Sequence, residues 1–364
     1  MKGIINIMYL DNPIVYEDMK YIYERNVDWN KLRNKKVLIT GSYGMLASYI
    51  VFFLMFLNIN YNFKINVFAQ GRNEEKAKEK FKEFWDNEFF QYTNINICKE
   101  ITQLPQIDFF IHAAGIANPK LYSTHPVEVI EPNVLGTYYL LDFARNTGCE
   151  KFLMFSSGDV YGLVDNPTAI KENTIGKMDP LDIHSCYGES KRLAETLCCS
   201  FFREYNVPTT IARIAHTYGP TMDVYNDPRS FASFMKCALD GENIVMFSDG
   251  SAQRPFCYIS DAVFGYMLIL LQGKNGEAYN VSNSSQLISI AELADIIAAL
   301  SEKGIKVIRK ERNTSFVENS LNNCNKLIED KLLALGWKCE YNIRLGMERT
   351  YSFIKDFIDE RVLY

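Results

Sequence analysis

From Lys36 onward, short runs rich in branched and aromatic residues alternate with helical stretches, and that alternation leaves few folds open. The runs are KKVLIT, KINVFAQ, DFFIHAA, KFLMFSS and TTIARIA, each bounded by turn or polar residues. Helices are expected between them at 44–57, at about 126–147 and at 187–205. Parallel strands need a long crossover, usually a helix, and a sheet covered on both faces is built from near-continuous apolar runs. The predicted fold class is therefore α/β, a doubly wound parallel sheet with a smaller C-terminal lobe. Residues 36–217 and 255–283 are assigned to the sheet domain. The lobe takes 218–254 and 284–364, where Ile290, Leu293, Ile297 and Leu300 share one side of an amphipathic helix. Residues 1–35 form an added N-terminal helical arm, with Tyr16, Met19, Ile22 and Tyr23 available for packing. The Asn-rich stretch 313–325 is expected to be a loop with one short strand.

Composition excludes several classes of function. Of 364 residues, 48% are apolar, and 39 Lys+Arg against 44 Asp+Glu leave a net charge of −5, which argues against both disorder and a nucleic-acid footprint. The apolar runs at 50–57 and 267–271 fall far short of the roughly 18 residues that a spanning helix needs. The first residues, MKGIINIMYLDNPIVYED, turn acidic too early for a signal peptide, so a cytoplasmic protein with no membrane partner is expected. Nine scattered cysteines without a CxxC pair suggest reduced thiols, and four histidines without ligand spacing predict no metal site.

The first run leads straight into Thr40-Gly41-Ser42-Tyr43-Gly44-Met45-Leu46-Ala47, a GxxGxxA turn that opens a helix. Gly41 and Gly44 let the backbone approach a pyrophosphate at the helix N-terminus, where N–H groups and the macrodipole favour anions. Ser42, Tyr43, Met45 and Leu46 complete the predicted dinucleotide cradle. The second run ends Ala69-Gln70-Gly71-Arg72-Asn73. An acid there would hold the free 2′-hydroxyl of NAD, and a base would meet the 2′-phosphate of NADP. Arg72 thus favours NADP, while an Arg72 stacked on adenine leaves NAD open. His112-Ala113-Ala114-Gly115 closes the DFFIHAA strand, its small residues admitting the cofactor's ribose side, and His112 is read as packed rather than catalytic.

Tyr187-Gly188-Glu189-Ser190-Lys191, preceded by Ser156-Ser157 at a strand end, carries the chemistry. Four apart on a helix, Tyr187 and Lys191 share a face, so the ammonium is expected to lower the phenol's pKa and make a usable base. Ser157 would hydrogen-bond the same substrate hydroxyl, and Lys191 would also hold the nicotinamide ribose.

With these motifs in this order, the chain resembles the extended short-chain dehydrogenase/reductase family of nucleotide-sugar epimerases, dehydratases and decarboxylases over roughly Lys36 to Phe353. The likeness also rests on Asn133-Val134-Leu135-Gly136-Thr137, Val160-Tyr161-Gly162, Tyr218-Gly219-Pro220, Arg254-Pro255-Phe256-Cys257-Tyr258 with Asp261, and Leu335-Gly336-Trp337. The stretches ANPKLYSTHPVEVIEPNVLGT, DPLDIHSCYGESKRLAET and NDPRSF look most like UDP-glucuronate decarboxylases. The resemblance implies a Rossmann-type fold and a tightly held NAD or NADP with Asn133 among its contacts. It also implies a nucleoside-diphosphate sugar oxidised at carbon 4 by Tyr187 with Ser157. Arg254 and Arg229 would bind the sugar nucleotide, and Arg213 is read as structural. A homodimer through a four-helix interface of 126–147 and 187–205 is the family expectation.

The fate of the 4-keto intermediate depends on neighbouring residues. In 4,6-dehydratases of the family an Asp-Glu pair follows the strand-end motif, and here Gly158 and Asp159 break it. The decarboxylases carry Glu where this chain has Asp159, one methylene shorter, while 4-epimerases need no carboxylate there. The family's C-terminal RxPD is replaced by Asn319-Ser320-Leu321-Asn322-Asn323-Cys324. The reading favours transient oxidation followed by epimerisation, slightly ahead of decarboxylation. Behind these stand an NADPH-dependent 4-keto-sugar reductase, prompted by Arg72, and a dehydratase-like lyase. A non-catalytic binding protein comes last, because Ser157, Tyr187 and Lys191 are all present.

Overall fold

The computed structural model describes residues 8–165, 167–310 and 325–362, with side chains through 358. The Asn319–Cys324 departure and most of the expected 313–325 loop lie outside the described residues. The strands are β1 (Lys36–Thr40), β2 (Asn66–Gln70), β3 (Phe90–Thr93), β4 (Phe109–His112), β5 (Lys151–Ser157), β6 (Thr209–Ile214), β7 (His216–Tyr218), β8 (Ile244–Met246), β9 (Gln253–Tyr258), β10 (Glu277–Val281), β11 (Leu287–Ser289) and β12 (Val307–Arg309). The helices are α1 (Pro13–Tyr23), α2 (Met45–Tyr61), α3 (Glu74–Lys80), α4 (Pro119–Thr124), α5 (Pro126–Glu131), α6 (Thr137–Thr147), α7 (Ser185–Tyr205), α8 (Ser230–Asp240), α9 (Ile259–Gln272), α10 (Ile290–Ala298), α11 (Asp330–Ala334) and α12 (Ile343–Val362).

Seven strands form one parallel sheet in the order β10-β6-β5-β4-β1-β2-β3, a doubly wound Rossmann-type fold. Successive strand residues feed opposite faces: Val37, Ile39 and Ile111 enter one core, Leu38 and Phe110 the other. The second core is closed by Leu140, Leu141 and Ala144 of α6 and by Ala194, Cys198 and Phe201 of α7. On the first face lie α2 and α9, both buried along most of their length, which explains their largely apolar sequences without a membrane. No helix among the described residues is long and apolar enough to cross one. A small sheet, β11-β9-β7, and the pair β12-β8 extend the first core toward the C-terminus.

Three features differ from the sequence reading. The helix expected at 126–147 is broken into α5 and α6 by a π-type turn over Pro132–Gly136, because Pro132 has no N–H to continue the ladder. β3 and β10 fall outside the five apolar runs because they are the sheet edges and interrupt the apolar pattern with polar residues, Gln91 and Thr93 in β3 and Glu277 and Asn280 in β10. The N-terminal arm enters the core rather than lying on it: Val15, Met19 and Ile22 of α1 are fully buried. Asp18 is buried beside them and accepts from Tyr49 Oη at 2.5 Å, Tyr258 Oη at 2.8 Å and Arg349 Nη2 at 2.9 Å. Tyr21 donates to Asp261 at the start of α9.

Candidate active site

Chain order reverses between β1 and β4, so their carboxyl ends open a crevice. Gly41 has φ +63°, and a Cβ there would stand 2.8 Å from Ala114 Cα, so glycine alone lets the two segments meet. Gln70, which the sequence reading passed over, pins the turn. Its Oε1 accepts from Gly41 N at 3.2 Å, its Nε2 donates to Ile95 O at 2.9 Å, and its carbonyl accepts from Ser42 N at 2.9 Å. Gly44 N donates to Gly41 O at 2.9 Å and leads into α2, where Met45 and Leu46 are half-buried. His112 is pushed down to about 3, by burial first and then by Lys191, so it is neutral. The Pro132 carbonyl, 3.2 Å from Nε2, can only accept. Nε2 therefore carries the hydrogen, and Nδ1 accepts the Thr40 hydroxyl at 2.8 Å. Thr40 Oγ1 accepts from Ala114 N at 3.1 Å, which ties the 113–115 segment to the turn.

Two buried oxygens in this crevice, Ser42 Oγ and Asn133 Oδ1, have no partner among the described residues. Buried polar atoms are rarely left so, and their orphaning fits a polar ligand lying between turn and helix. A Cβ on Gly115 would come within 3.0 Å of Asn133 Oδ1 and 3.3 Å of Lys191 Nζ, so Gly115, Asn133 and Lys191 do converge. Asn133 is fixed by donating to Val129 O at 3.0 Å and Ser190 Oγ at 2.9 Å. At the other end, the Tyr43 ring covers Gly71, where a Cβ would be 2.4 Å away. Arg72 follows, exposed and without a hydrogen-bond or ion-pair partner among the described residues. The donor set and the close backbone approaches fit a dinucleotide.

Beyond Gly115 and Lys191 stand the residues expected to carry acid–base chemistry. Tyr187, in the first turn of α7, is 7% exposed. Burial first and the Asp159 charge second raise its phenol above the ordinary tyrosine range, against the Ser157 hydrogen bond and the Arg229 charge. The expected lowering by Lys191 is absent. Lys191 Nζ is 5.8 Å from the ring centroid and donates instead to Phe155 O at 2.7 Å. Burial brings Lys191 down to about 8, with Glu195 the leading opposing charge. Glu195 itself accepts from Ser156 Oγ at 2.5 Å and from Arg213 at 2.9 and 2.7 Å, the structural role read for Arg213. Ser157 Oγ also accepts from Asp159 N at 3.1 Å. Asp159 keeps solvent contact at the cleft, yet the protein around it raises its carboxyl pKa.

The outer wall holds Arg229 and Arg254. Asp227 grips Arg229, with Nε 2.9 Å from both carboxylate oxygens and Nη2 2.5 Å from Oδ2. Sequence reasoning missed His216, which both arginines face. Burial, then Arg254 and Arg229, push it down to about 3, and its ring lies 5.7 Å from Phe256. Also missed was Tyr122, stacked on Tyr187. A signal existed for both: Tyr122 lies inside the stretch ANPKLYSTHPVEVIEPNVLGT that carries the resemblance, and His216 stands two residues before the Tyr218-Gly219-Pro220 motif. No group of three His, Cys, Asp or Glu that could hold a metal occurs among the described residues.

Comparison with known proteins gives a consistent picture. The model of the NAD dependent epimerase/dehydratase family matches residues 37–282. UDP-glucuronic acid decarboxylase 6 of Arabidopsis thaliana is 30% identical over 316 residues, covering 86% of this chain and 87% of that protein. UDP-glucuronic acid decarboxylase 4 of the same plant is 32% identical, covering 88% and 68%. Among solved structures, the Thermotoga maritima UDP-glucose 4-epimerase with UDP-glucose superimposes with a TM-score of 0.75 at 23% identity, covering 89% of this chain and 99% of that one. The Bacillus cereus UDP-glucuronic acid 4-epimerase in complex with UDP-glucuronic acid and NAD gives 0.74 at 21% identity, covering 88% and 99%.

Proposed function

The chain belongs to the NAD-dependent epimerase/dehydratase family, and from that premise we propose that it oxidises carbon 4 of a nucleoside-diphosphate sugar transiently, inverts that centre and returns the hydride. The observation that carries this reading is that Tyr187 stands one helical turn from Lys191 and close enough to Ser157 for that hydroxyl to favour its phenolate, in a cleft whose inner end fits a dinucleotide. NAD or NADP would be held by the 41–46 turn and by Ala113, Ala114, Gly115, Asn133 and Lys191, with Arg72 inclining the site to NADP. When bound, the nicotinamide supplies the hydride acceptor and donor.

The protein's own residues move the proton and fix the sugar. Ser157 Oγ receives the carbon 4 hydroxyl proton while passing its own to Tyr187, and the relay runs backward when the hydride returns. Tyr187 must first release its proton, which positive charge in the cleft favours; Arg229 already acts in that direction. Arg254, Arg229 and His216 form the cationic and polar wall that would take the diphosphate. Epimerisation asks nothing further, since the keto-sugar has only to present its other face. Decarboxylation is the second reading, favoured by the names of the curated relatives. Asp159 would then do with a shorter arm what a Glu does in the decarboxylases that the sequence resembles.

We further propose a homodimer. Val127, Ile130, Leu135 and Tyr138 on the 126–147 segment and Leu193 and Tyr205 on α7 are exposed apolar residues on the two helices that would pair. A cytoplasmic setting is supported by the cysteines, since each one among the described residues is a free thiol.

The test begins with protein purified without added cofactor, denatured and examined by mass spectrometry for released nucleotide, then incubated with UDP-glucuronic acid and UDP-glucose. NAD(H) or NADP(H) near one per chain, with a 4-epimer formed and no carbon dioxide, is the expected result. Carbon dioxide and a UDP-pentose would install the decarboxylase. An empty protein that consumes NADPH stoichiometrically would overturn both in favour of a reductase.

A further inference from the structure

Tyr122 and Tyr187 lie face to face, ring centroids 5.2 Å apart and planes within 9° of parallel. Tyr122 is carried on α4, which Asn118 caps by accepting from Lys120 N at 3.0 Å. Fully buried Val129 of α5 and partly buried Ile116, Leu121 and Cys186 complete the cluster around the two rings. The Cys186 thiol donates to the Tyr122 carbonyl at 3.7 Å, so α4 is tied to the first turn of α7 beside Tyr187 itself. The phenolic oxygen of a tyrosine lies on the Cβ–Cγ axis, so spinning the ring about that bond leaves it in place and only rotation about Cα–Cβ carries it sideways. A parallel ring packed over one face fixes the plane of the phenol, blocks the Cα–Cβ swing toward that side, and keeps water off that face.

We propose that Tyr122 is a positioning residue for Tyr187: its ring sets the plane of the phenol and seals it from solvent, while its hydroxyl is dispensable. The inference rests on the reading of Tyr187 as the proton-transfer group. It predicts two effects of opposite sense when the ring is removed. The phenol gains water and titrates lower, toward its ordinary value, yet reacts more slowly because its oxygen is no longer held in line. General damage to the fold would also lower the titration points of the other buried tyrosines, Tyr49, Tyr218 and Tyr258, whereas loss of the Tyr122 ring should move that of Tyr187 alone.

The experiment compares wild type, Tyr122→Phe and Tyr122→Leu. Tyrosine Cζ is labelled with ¹³C, the Tyr187 resonance is identified by its loss in Tyr187→Phe, and its titration is followed by NMR. Hydride transfer from UDP-sugar is followed at 340 nm in a single turnover. Expected are a wild-type titration point and rate for Tyr122→Phe. Tyr122→Leu should show a lower titration point and a rate reduced between about tenfold and a hundredfold. An unmoved titration point in Tyr122→Leu overturns the proposal, as does a Tyr122→Phe variant that loses as much as Tyr122→Leu. Were no UDP-sugar to drive hydride transfer even in wild type, the functional reading would fail, while the NMR titration would still decide whether Tyr122 governs the phenol.

Discussion

Burial acts on Tyr187 and Lys191 in opposite directions, raising the phenol and lowering the ammonium to about 8, because in both it favours the uncharged form. Removing the phenolic oxygen leaves the ring, the Tyr122 stack and the cofactor cradle in place. Tyr187→Phe should therefore lower single-turnover hydride transfer by about 10²–10⁴ with cofactor affinity unchanged, and retained turnover would exclude Tyr187 as the proton carrier. At the far end of the cleft, Arg72 has no hydrogen-bond or ion-pair partner among the described residues. Arg72→Ala should weaken NADP by roughly tenfold more than NAD in a fluorescence titration, as loss of a charge-assisted phosphate contact requires, and equal losses would remove the case for NADP. The glycine turn, Ser157, Tyr187 and Lys191 were legible in the sequence because short fixed spacings tie them to one turn, one strand end and one helix. Gln70, Tyr122 and His216 were not. Their meaning comes from partners on other elements, and a one-turn spacing tells which face Lys191 shares but not that its ammonium is spent on Phe155 O.

Among elements, α1 is the one whose placement the sequence disguised. Its helical character was readable from Tyr16, Met19 and Ile22, but nothing local shows that Asp18 lies in the core, because the charge that answers it, Arg349, comes from α12 at the other end of the chain. Asp18 is raised from 3.8 to about 6, burial outweighing Arg349 and the Tyr49 and Tyr258 hydroxyls. A folded value above the unfolded one means that the proton favours the folded state. The contribution is full below 3.8 and lost as pH rises through about 6. Glu83, raised to about 7, has the same sign. His112 and His216, lowered to about 3, have the opposite one, lost as pH falls below 6.5. The wild-type profile mixes all four, so the informative quantity is a difference. Between about pH 4 and pH 7, the Tm of Asp18→Asn minus that of wild type should climb by a few degrees. A difference flat with pH would mean that Asp18 titrates as an ordinary surface acid. The same distinction between local and distant causes explains the strands: β1, β2, β4, β5 and β6 are interior and announce themselves as apolar runs, whereas the edges β3 and β10 do not.

At the scale of the whole molecule, the exposed apolar surface of α5, α6 and α7 lies directly behind the cleft. Val127 is 64% exposed, Tyr138 44% and Leu193 47%, apolar side chains open to solvent on adjoining elements. The two helices already act as one surface, since the Tyr138 ring of α6 meets Phe201 of α7 edge-on with centroids 5.8 Å apart. Pairing that surface with its own copy about a two-fold axis would bury it in a closed, isologous contact, whereas a heterologous contact would leave one patch bare and permit filaments. Placing a charge at Leu193 or Tyr138 puts the same charge twice into such an interface. Leu193→Asp combined with Tyr138→Glu should therefore change a species of twice the chain mass into one of single mass in light scattering at micromolar concentration. A wild-type protein already of single mass would remove the dimer. If the dimer is real, its loss should also reach the chemistry: α7 carries Leu193 on its outer side and Tyr187 and Lys191 on its inner side, so freeing the outer side should loosen the turn that aims the phenol at Ser157. The monomeric variant should bind cofactor through the 41–46 turn as before but transfer hydride more slowly, and undiminished transfer would show that α7 is held in place by its own sheet alone.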